Sequence, residues 1–585
     1  MNKIELANKI RRLDGLSNEE KSALLELLNT RKKYGLVWEE KPEHVEAQMA
    51  QQLPVLTEVK ERAIISDDPK APNHILIEGD NLHALTALTY THAGKIDVIY
   101  IDPPYNTGNK DFIYNDIFVD KEDSYRHSKW LSFMHKRLVI AKQLLSDKGV
   151  IFISIDDNEL TNLKLLCDEI FDEKNFIANL IWKSKSGGAN DTSSFGIDHE
   201  YILCYANKMD NIIINNDKGT SVTTCYNKVD EKGRRYALDR LDKQSLGYQA
   251  SLDFPIIGPD GKEYVVQHKN PSNKKARWRW GKDTVRERYD ELEFIYPFVY
   301  TRNYEKEGGV KPRSILFDER FGRTRTGSTD LVSIIGTQNI FKYPKPIKLL
   351  KFIVEISTNP TSTILDFFAG SGTTMHATME LNAEDGGHRQ CILVTNNENN
   401  ICEEVTYERN RRVIQGYTTP KGETVEGLSS NTLRYYKTSL VPRANTVGNM
   451  RRLTAAATDL LCIRNDVYRE VGEFGGSELP EQVGRYFDDG RTKMLVIYLE
   501  TYVSYFVEKL LDMEIEGKIL VYVFSNSNYA YDDEFEEVLD KVELCALPDA
   551  IYKAYKKVLP PERLASESAS QDADEEPAAG EEDAQ

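Results

Sequence analysis

Six short apolar runs, separated by helix-length segments, constrain this chain more than any other feature. They lie at 74–77, 96–101, 150–155, 201–205, 363–365 and 391–394. Continuous apolar runs alternating with helices predict a parallel sheet covered on both faces, an α/β fold. The residues after the runs are acidic or polar: Glu78-Gly79-Asp80, Asp102-Pro103-Pro104-Tyr105, Asp156-Asp157, Asp366-Phe367-Phe368-Ala369-Gly370 and Asn396-Asn397-Glu398. In open α/β sheets ligands bind beyond the carboxyl ends of strands, so these five strand ends predict one site built from distant pieces of chain.

Two of those ends carry specific chemistry. In Asp102-Pro103-Pro104-Tyr105 a carboxylate is followed by a fixed backbone and an aromatic ring. The exocyclic amino nitrogen of a nucleobase is a poor nucleophile, because its lone pair is delocalised into the ring. Asp102 supplies an acceptor for one amino hydrogen and the Pro103 carbonyl an acceptor for the other, since proline restricts the backbone. Tyr105 suits stacking on a base drawn out of a duplex. A strand-to-helix turn capped by an aspartate is the plainer reading of the same residues. The second end, Asp366-Phe367-Phe368-Ala369-Gly370-Ser371-Gly372-Thr373-Thr374, is a strand, a glycine turn and a helix start. It turns backbone N–H groups toward a crevice and lets a cofactor approach the main chain. It is not G-x-G-x-x-G, and G-x-x-x-x-G-K-[ST] is absent from the chain.

Asp366 to Thr374 resembles the S-adenosylmethionine motif of amino-methyltransferases, and Asp102-Pro103-Pro104-Tyr105 resembles their catalytic motif. The catalytic motif comes first, which resembles the permuted β-class order that is most often adenine-specific. The longer stretch Ile99-Tyr100-Ile101-Asp102-Pro103-Pro104-Tyr105-Asn106-Thr107-Gly108 is similar to the Mod subunit of type III restriction-modification systems. So are Gly187-Gly188-Ala189-Asn190-Asp191, Asp198-His199-Glu200-Tyr201, Phe341-Lys342-Tyr343-Pro344-Lys345-Pro346 and the stretch 544–552. The resemblance implies a Rossmann-like S-adenosylmethionine-dependent core in permuted order, with an inserted target-recognition domain and an α+β C-terminal region. It implies N6-adenine methylation of duplex DNA by base flipping, a homodimer and a Res partner with helicase and nuclease activity. A solitary methyltransferase, an N4-cytosine enzyme and a catalytically silent DNA-targeting scaffold are the other readings. The resemblance also assigns roles: Asp80 to the cofactor adenine, Glu398 to the ribose hydroxyls and Lys345 to the methionine carboxylate. Asp366 falls on the ammonium side, and Phe368, Gly370, Gly372 and Thr373 complete the cofactor set.

Texture divides the chain into a helical N-terminal region at 1–65, core segments at 66–208 and 336–440, and an insert at 209–335. A C-terminal dimer or partner region at 441–562 and a tail at 563–585 follow. The net charge of −18 argues against a nucleic-acid partner, but phosphates are met by a local basic face. Eight acids and no base fall in 566–585, a composition that buries no core and predicts disorder. The stretch 268–282 has no acid, and there Lys269, Lys274, Lys275, Arg277, Arg279 and Lys282 interleave with Trp278 and Trp280. It is the candidate DNA face, with Arg313 and 320–325 weaker candidates. Seven scattered cysteines and ten histidines form no zinc pattern, so no metal is expected. No run of 18 apolar residues and no signal peptide predict a cytoplasmic protein without a membrane span.

Overall fold

The computed structural model describes Ser17, Lys21 and residues 36–109, 111–187, 194–218, 226–270, 272–304, 309–442, 447–498, 500–523 and 531–546. The helix start that the capping-box residues Ser17-Asn18-Glu19-Glu20 predict falls mostly outside them, and the 188–191 resemblance, a helix predicted over 548–558 and the acidic tail lie outside them. The chain forms two compact units, one of residues 1–213 and 314–585, the other Ile214–Arg313.

The first unit is built on a ten-stranded sheet. Its strands in chain order are β1 (Gln52–Glu58), β2 (Asn73–Glu78), β3 (Ile96–Ile101), β4 (Leu145–Ile155), β5 (Phe176–Lys183), β6 (His199–Ala206), β7 (Ile315–Leu316), β8 (Thr363–Asp366), β9 (Gln390–Thr395) and β10 (Thr432–Pro442). Their spatial order is β1-β10-β2-β9-β8-β3-β4-β6-β5-β7. From β10 to β4 every pairing is parallel. The strands alternate between two cores, as a buried sheet requires. Ile99, Ile101, Ile151 and Ile153 pack into one core with α1 (Asn81–His92) and α2 (Arg126–Leu144). Val98, Tyr100, Val150 and Phe152 pack into the other with α3 (Thr324–Ile335), α4 (Ile347–Ser357), α5 (Thr373–Asp385) and α6 (Glu408–Gln415).

Two expectations are corrected. The run at 201–205 belongs to β6, which is antiparallel to both β4 and β5. β5 and β6 are successive strands paired directly, with Lys183 opposite His199, and that return reverses the direction. The N-terminal region is not all helical, because Gln52–Glu58 is an edge strand paired antiparallel with β10. Pro54 falls within it, which an edge tolerates because one side of the strand needs no donor.

A second, five-stranded sheet lies between Glu470 and Ala546 and has its own core around Leu495, Phe506 and Val521. The second unit ends at Arg313, whereas texture had suggested 335. Ile315–Leu316 instead extends the main sheet beside β5, and α3 packs on the main core. Within that unit Ile256–Ile257 pairs with Glu263–Tyr264 across the turn Pro259-Asp260-Gly261-Lys262.

Candidate active site

The carboxyl ends of β2, β9, β8 and β3 stand in register, with Glu78 opposite Thr395, Asp366 opposite Leu393, and Leu365 opposite Ile99. The turns that follow therefore share one rim of the sheet. Because β8 and β3 are neighbours, Asp366 and the Asp102 turn are side by side, although the insert separates them in sequence.

After β3 the chain is fixed from below. Trp130 Nε1, on α2, donates to the Pro104 carbonyl at 2.7 Å. Among the described residues no donor reaches the Pro103 carbonyl, the second amino-hydrogen acceptor expected from the sequence. Asn106 is fully buried at φ 56° and donates to Glu159 Oε1 at 2.5 Å. Glu159 is itself fully buried and also accepts from Asn162 at 2.7 Å, while His127 Nδ1 lies 2.6 Å away.

Above the turn sits a cluster of charges. Lys345 Nζ donates to Asp102 Oδ1 at 2.8 Å, to Asp102 Oδ2 at 2.9 Å and to the Tyr105 hydroxyl at 2.9 Å. It is 3.3 Å from Glu200 Oε2. The Tyr105 hydroxyl lies 2.9 Å from Asp102 Oδ1 and 3.0 Å from Glu200 Oε2. Burial pulls the Lys345 ammonium down, but the facing carboxylates of Asp102 and Glu200 outweigh it and hold it above the usual lysine value. Burial, then the same two carboxylates, push the Tyr105 phenol well above its ordinary range. Lys345 is therefore buried beside Asp102. Its approach depends on Gly327 of α3, where a Cβ would fall 2.1 Å from the Pro344 carbonyl oxygen.

The β8 end forms the second wall. Asp366 is buried and accepts from Thr374 Oγ1 at 2.5 Å and Phe368 N at 3.0 Å. Burial pushes its carboxyl up to about 7; those two hydrogen bonds oppose the shift and Asp102 adds to it. Gly370 at φ 48° and Gly372 at φ 73° shape the turn. A Cβ on Gly370 would lie 2.9 Å from Phe341 Cζ, and one on Gly372 would lie 2.5 Å from Asn410 Nδ2. Thr373 opens α5, so the first N–H groups of that helix have no partner within it. Its hydroxyl is taken up from behind by Arg409, at 2.7 Å. Phe368 is half-buried, its ring 5.9 Å from that of Phe133.

At the β2 end Asp80 caps α1, accepting from Leu82 N at 2.7 Å. Asn81 ties that cap to the β8 turn by donating to the Phe367 carbonyl at 3.2 Å. Glu398 follows β9; partial desolvation and the nearby carboxylates of Asp116 and Asp80 raise its pKa. The acids expected to hold adenine and ribose thus flank the glycine turn. Asp366, followed by two positive-φ glycines and an open helix N-terminus, fits the charged amino-acid end of S-adenosylmethionine in its donor chemistry.

The basic stretch of the second unit divides. Trp278 is corrected from a DNA contact to a core residue: it is fully buried, and its Nε1 donates to the Phe254 carbonyl at 2.7 Å. Trp280 packs on the same core under the Arg288 guanidinium. Lys274 pairs with Asp253, Arg279 with Asp239, and Arg277 donates to Gln249. Lys269, Lys275 and Lys282 are exposed and form no ion pair among the described residues. Arg323 donates to the Phe317 and Asp318 carbonyls, a local backbone clamp.

Sequence reasoning gave no role to Glu200, Trp130, Asn106, Glu159, Gly327 or Arg409. Glu200 and Asn106 carried a signal, each inside a stretch of the resemblance, Asp198-His199-Glu200-Tyr201 and Ile99 to Gly108. Comparison with known proteins adds the following. The N6_N4_Mtase family (DNA methylase) matches residues 96–408. The EcoPI Mod subunit, a type III restriction-modification enzyme of Escherichia phage P1, is 34% identical over 57% of this chain and 59% of its own length. A probable type III HindVI Mod subunit of Haemophilus influenzae is 44% identical over 60% of this chain and 52% of its own. The chain thus spans roughly half to three fifths of these relatives. The type II methyltransferase M.KpnI of Klebsiella pneumoniae is 35% identical over 58% of this chain and 84% of its own length.

Proposed function

The chain belongs to the N6_N4_Mtase family of DNA methylases, and from that premise we propose that it methylates N6 of adenine in duplex DNA, with S-adenosylmethionine as donor. One observation carries the reading. The amino-group acceptor Asp102 and the glycine turn after Asp366 end neighbouring strands, so a base held at one is beside a cofactor held at the other.

Asp102 accepts one amino hydrogen and the Pro103 carbonyl the other, drawing the nitrogen toward tetrahedral geometry. Trp130 occupies the Pro104 carbonyl and so fixes which carbonyl faces the base. Tyr105 offers its ring to the extruded base. Asp366 takes the ammonium of the cofactor, Gly370, Gly372 and the start of α5 admit its amino-acid end, and Asp80 and Glu398 hold its adenosine. Lys345 stays on Asp102 and Tyr105, and Phe368 lines the same crevice. When bound, S-adenosylmethionine supplies an electrophilic methyl group on sulfonium.

We assign the second unit to target recognition and the chain to the modification role of a type III system, acting in the cytoplasm as a dimer with a Res partner. Similarity to Mod subunits supports this. A stand-alone methyltransferase is the second reading, favoured by the larger share of M.KpnI that is covered. Incubation with labelled S-adenosylmethionine and unmethylated bacterial DNA, followed by mass spectrometry of the nucleosides, tests the reaction. N6-methyladenine is expected; N4-methylcytosine moves the substrate, and no product from cofactor- and DNA-bound protein defeats the reading.

A further inference from the structure

A base amino group that gains a methyl must lose a proton, and the residues around Asp102 determine where that proton goes. Lys345 cannot take it. Its ammonium already carries three protons, directed at both oxygens of Asp102 and at the Tyr105 hydroxyl. The Tyr105 oxygen accepts from Lys345, and its single proton faces two carboxylates at nearly equal distance, Asp102 Oδ1 at 2.9 Å and Glu200 Oε2 at 3.0 Å. Apart from Asp102, Glu200 is the one proton acceptor bonded to that hydroxyl among the described residues. It is the second residue of β6, and its side chain is 18% exposed, so it borders both the cluster and solvent.

We propose that Glu200 is the proton outlet of the methyl-transfer site, acting through the Tyr105 hydroxyl; this rests on the methyltransferase reading above. As the N–C bond forms and the S–C bond breaks, the sulfonium becomes a thioether and the amino nitrogen becomes cationic. The nitrogen gives one proton to Asp102. Protonated Asp102 passes it to the Tyr105 oxygen while the Tyr105 proton moves to Glu200 Oε2. Asp102 is an acceptor again, Tyr105 is unchanged, and Glu200 releases its proton to water. The phenol never ionises, in keeping with the pressure of burial against the phenolate. Lys345 stays charged throughout and holds the three groups in line. Glu200 is a positioning and relay residue, because it acts on the substrate only through Tyr105.

The plain alternative is that Glu200 only balances the charge of Lys345. Single-turnover methyl transfer by the full chain, with labelled S-adenosylmethionine and duplex DNA, separates the two. Glu200→Gln keeps an acceptor for Tyr105 but cannot take a proton, and Tyr105→Phe keeps the ring and the Lys345–Glu200 pair. Each is expected to slow transfer on the order of 100-fold, the usual range for a lost acid–base partner. The KM values should stay near wild type, and the double variant should be no slower than the slower single, because both break one chain. Glu200→Asp should recover most of the rate. Wild-type rates in Glu200→Gln overturn the proposal. So does a slow Glu200→Gln beside a wild-type Tyr105→Phe, which assigns Glu200 to Lys345 alone, and so do losses that multiply. If Glu200→Gln fails to fold or to bind cofactor, Tyr105→Phe decides alone: a wild-type rate overturns the relay, and a slow one supports it. A wild-type protein that makes no methylated base defeats the methyltransferase reading instead.

Discussion

Lys345 places its ammonium 2.8 Å and 2.9 Å from the two oxygens of Asp102, across 243 residues of chain. The pair joins the two core segments, one residue following β3 and the other preceding α4 and β8. A buried cation needs close partners to offset its lost hydration, and here the partners are the carboxylates of Asp102 and Glu200. The same contact fixes the Asp102 carboxylate, the acceptor proposed for the amino group.

Removing that ammonium should therefore misplace the acceptor. Lys345→Met is expected to slow methyl transfer on the order of 100-fold, the loss that follows about 1 Å of misplacement. Asp102→Ala should abolish transfer. DNA affinity, measured by fluorescence anisotropy, should stay near wild type in both. Transfer that persists in Asp102→Ala removes Asp102 from its role as amino-group acceptor.

The raised carboxyl of Asp366 predicts a pH dependence with a definite sign. Its folded value of about 7 lies above the ordinary 3.8, so the folded state binds the extra proton between those limits. Stability is then fully present below the ordinary value and falls as pH rises through about 7. Asp366→Asn, neutral throughout, should match wild type at the acid end and exceed it in melting temperature at the alkaline end. A cationic cofactor favours the ionised form, so calorimetry near neutral pH in buffers of different ionisation heat should show proton release on binding. A melting-temperature difference that does not change with pH would contradict the assignment.

The strand ends and both motifs were legible in the sequence because they are local: an apolar run, then a polar stop. Glu200 was not, since it reaches Tyr105 only through the pairing of β6 with β4, 95 residues on. Gly327 looked like an ordinary helix residue, and only the packed Pro344 carbonyl gives it a reason. Trp278 was misread by composition, although the alternation Arg277-Trp278-Arg279-Trp280 was itself informative. Successive residues of a strand face opposite sides, so one set goes inward. Trp278 lies in a two-residue strand with Arg277 and takes the core side.

That division separates two kinds of variant in the second unit. Replacing Lys269, Lys275 and Lys282 together by alanine should weaken DNA binding without affecting folding. If all three meet phosphates, the slope of log affinity against log salt should fall by about three, roughly one per lysine. Trp278→Ala should instead cost about 3–5 kcal/mol, the range for a large buried aromatic. An unchanged salt slope in the triple variant would move the DNA face elsewhere.

Two glycines of one helix separate backbone strain from the needs of the site. Gly386, at the end of α5, has φ 70° and open space where a Cβ would go. Gly372, at its start, has φ 73°, and there a Cβ would meet Asn410 Nδ2 at 2.5 Å and Thr406 Cγ2 at 3.1 Å. Gly386→Ala should pay only the left-handed backbone penalty, about 1–2 kcal/mol. Gly372→Ala carries that penalty and must also displace a packed neighbour, a further cost of about 1–3 kcal/mol. Asn410 is held by the Thr406 carbonyl at 2.8 Å, so the helix behind the turn has little freedom to give way. Gly372→Ala should lower cofactor affinity in a direct binding measurement, while Gly386→Ala should leave it near wild type. Equal stability losses would mean that Asn410 moves aside freely, and a wild-type cofactor affinity in Gly372→Ala would take the glycine turn out of the cofactor site.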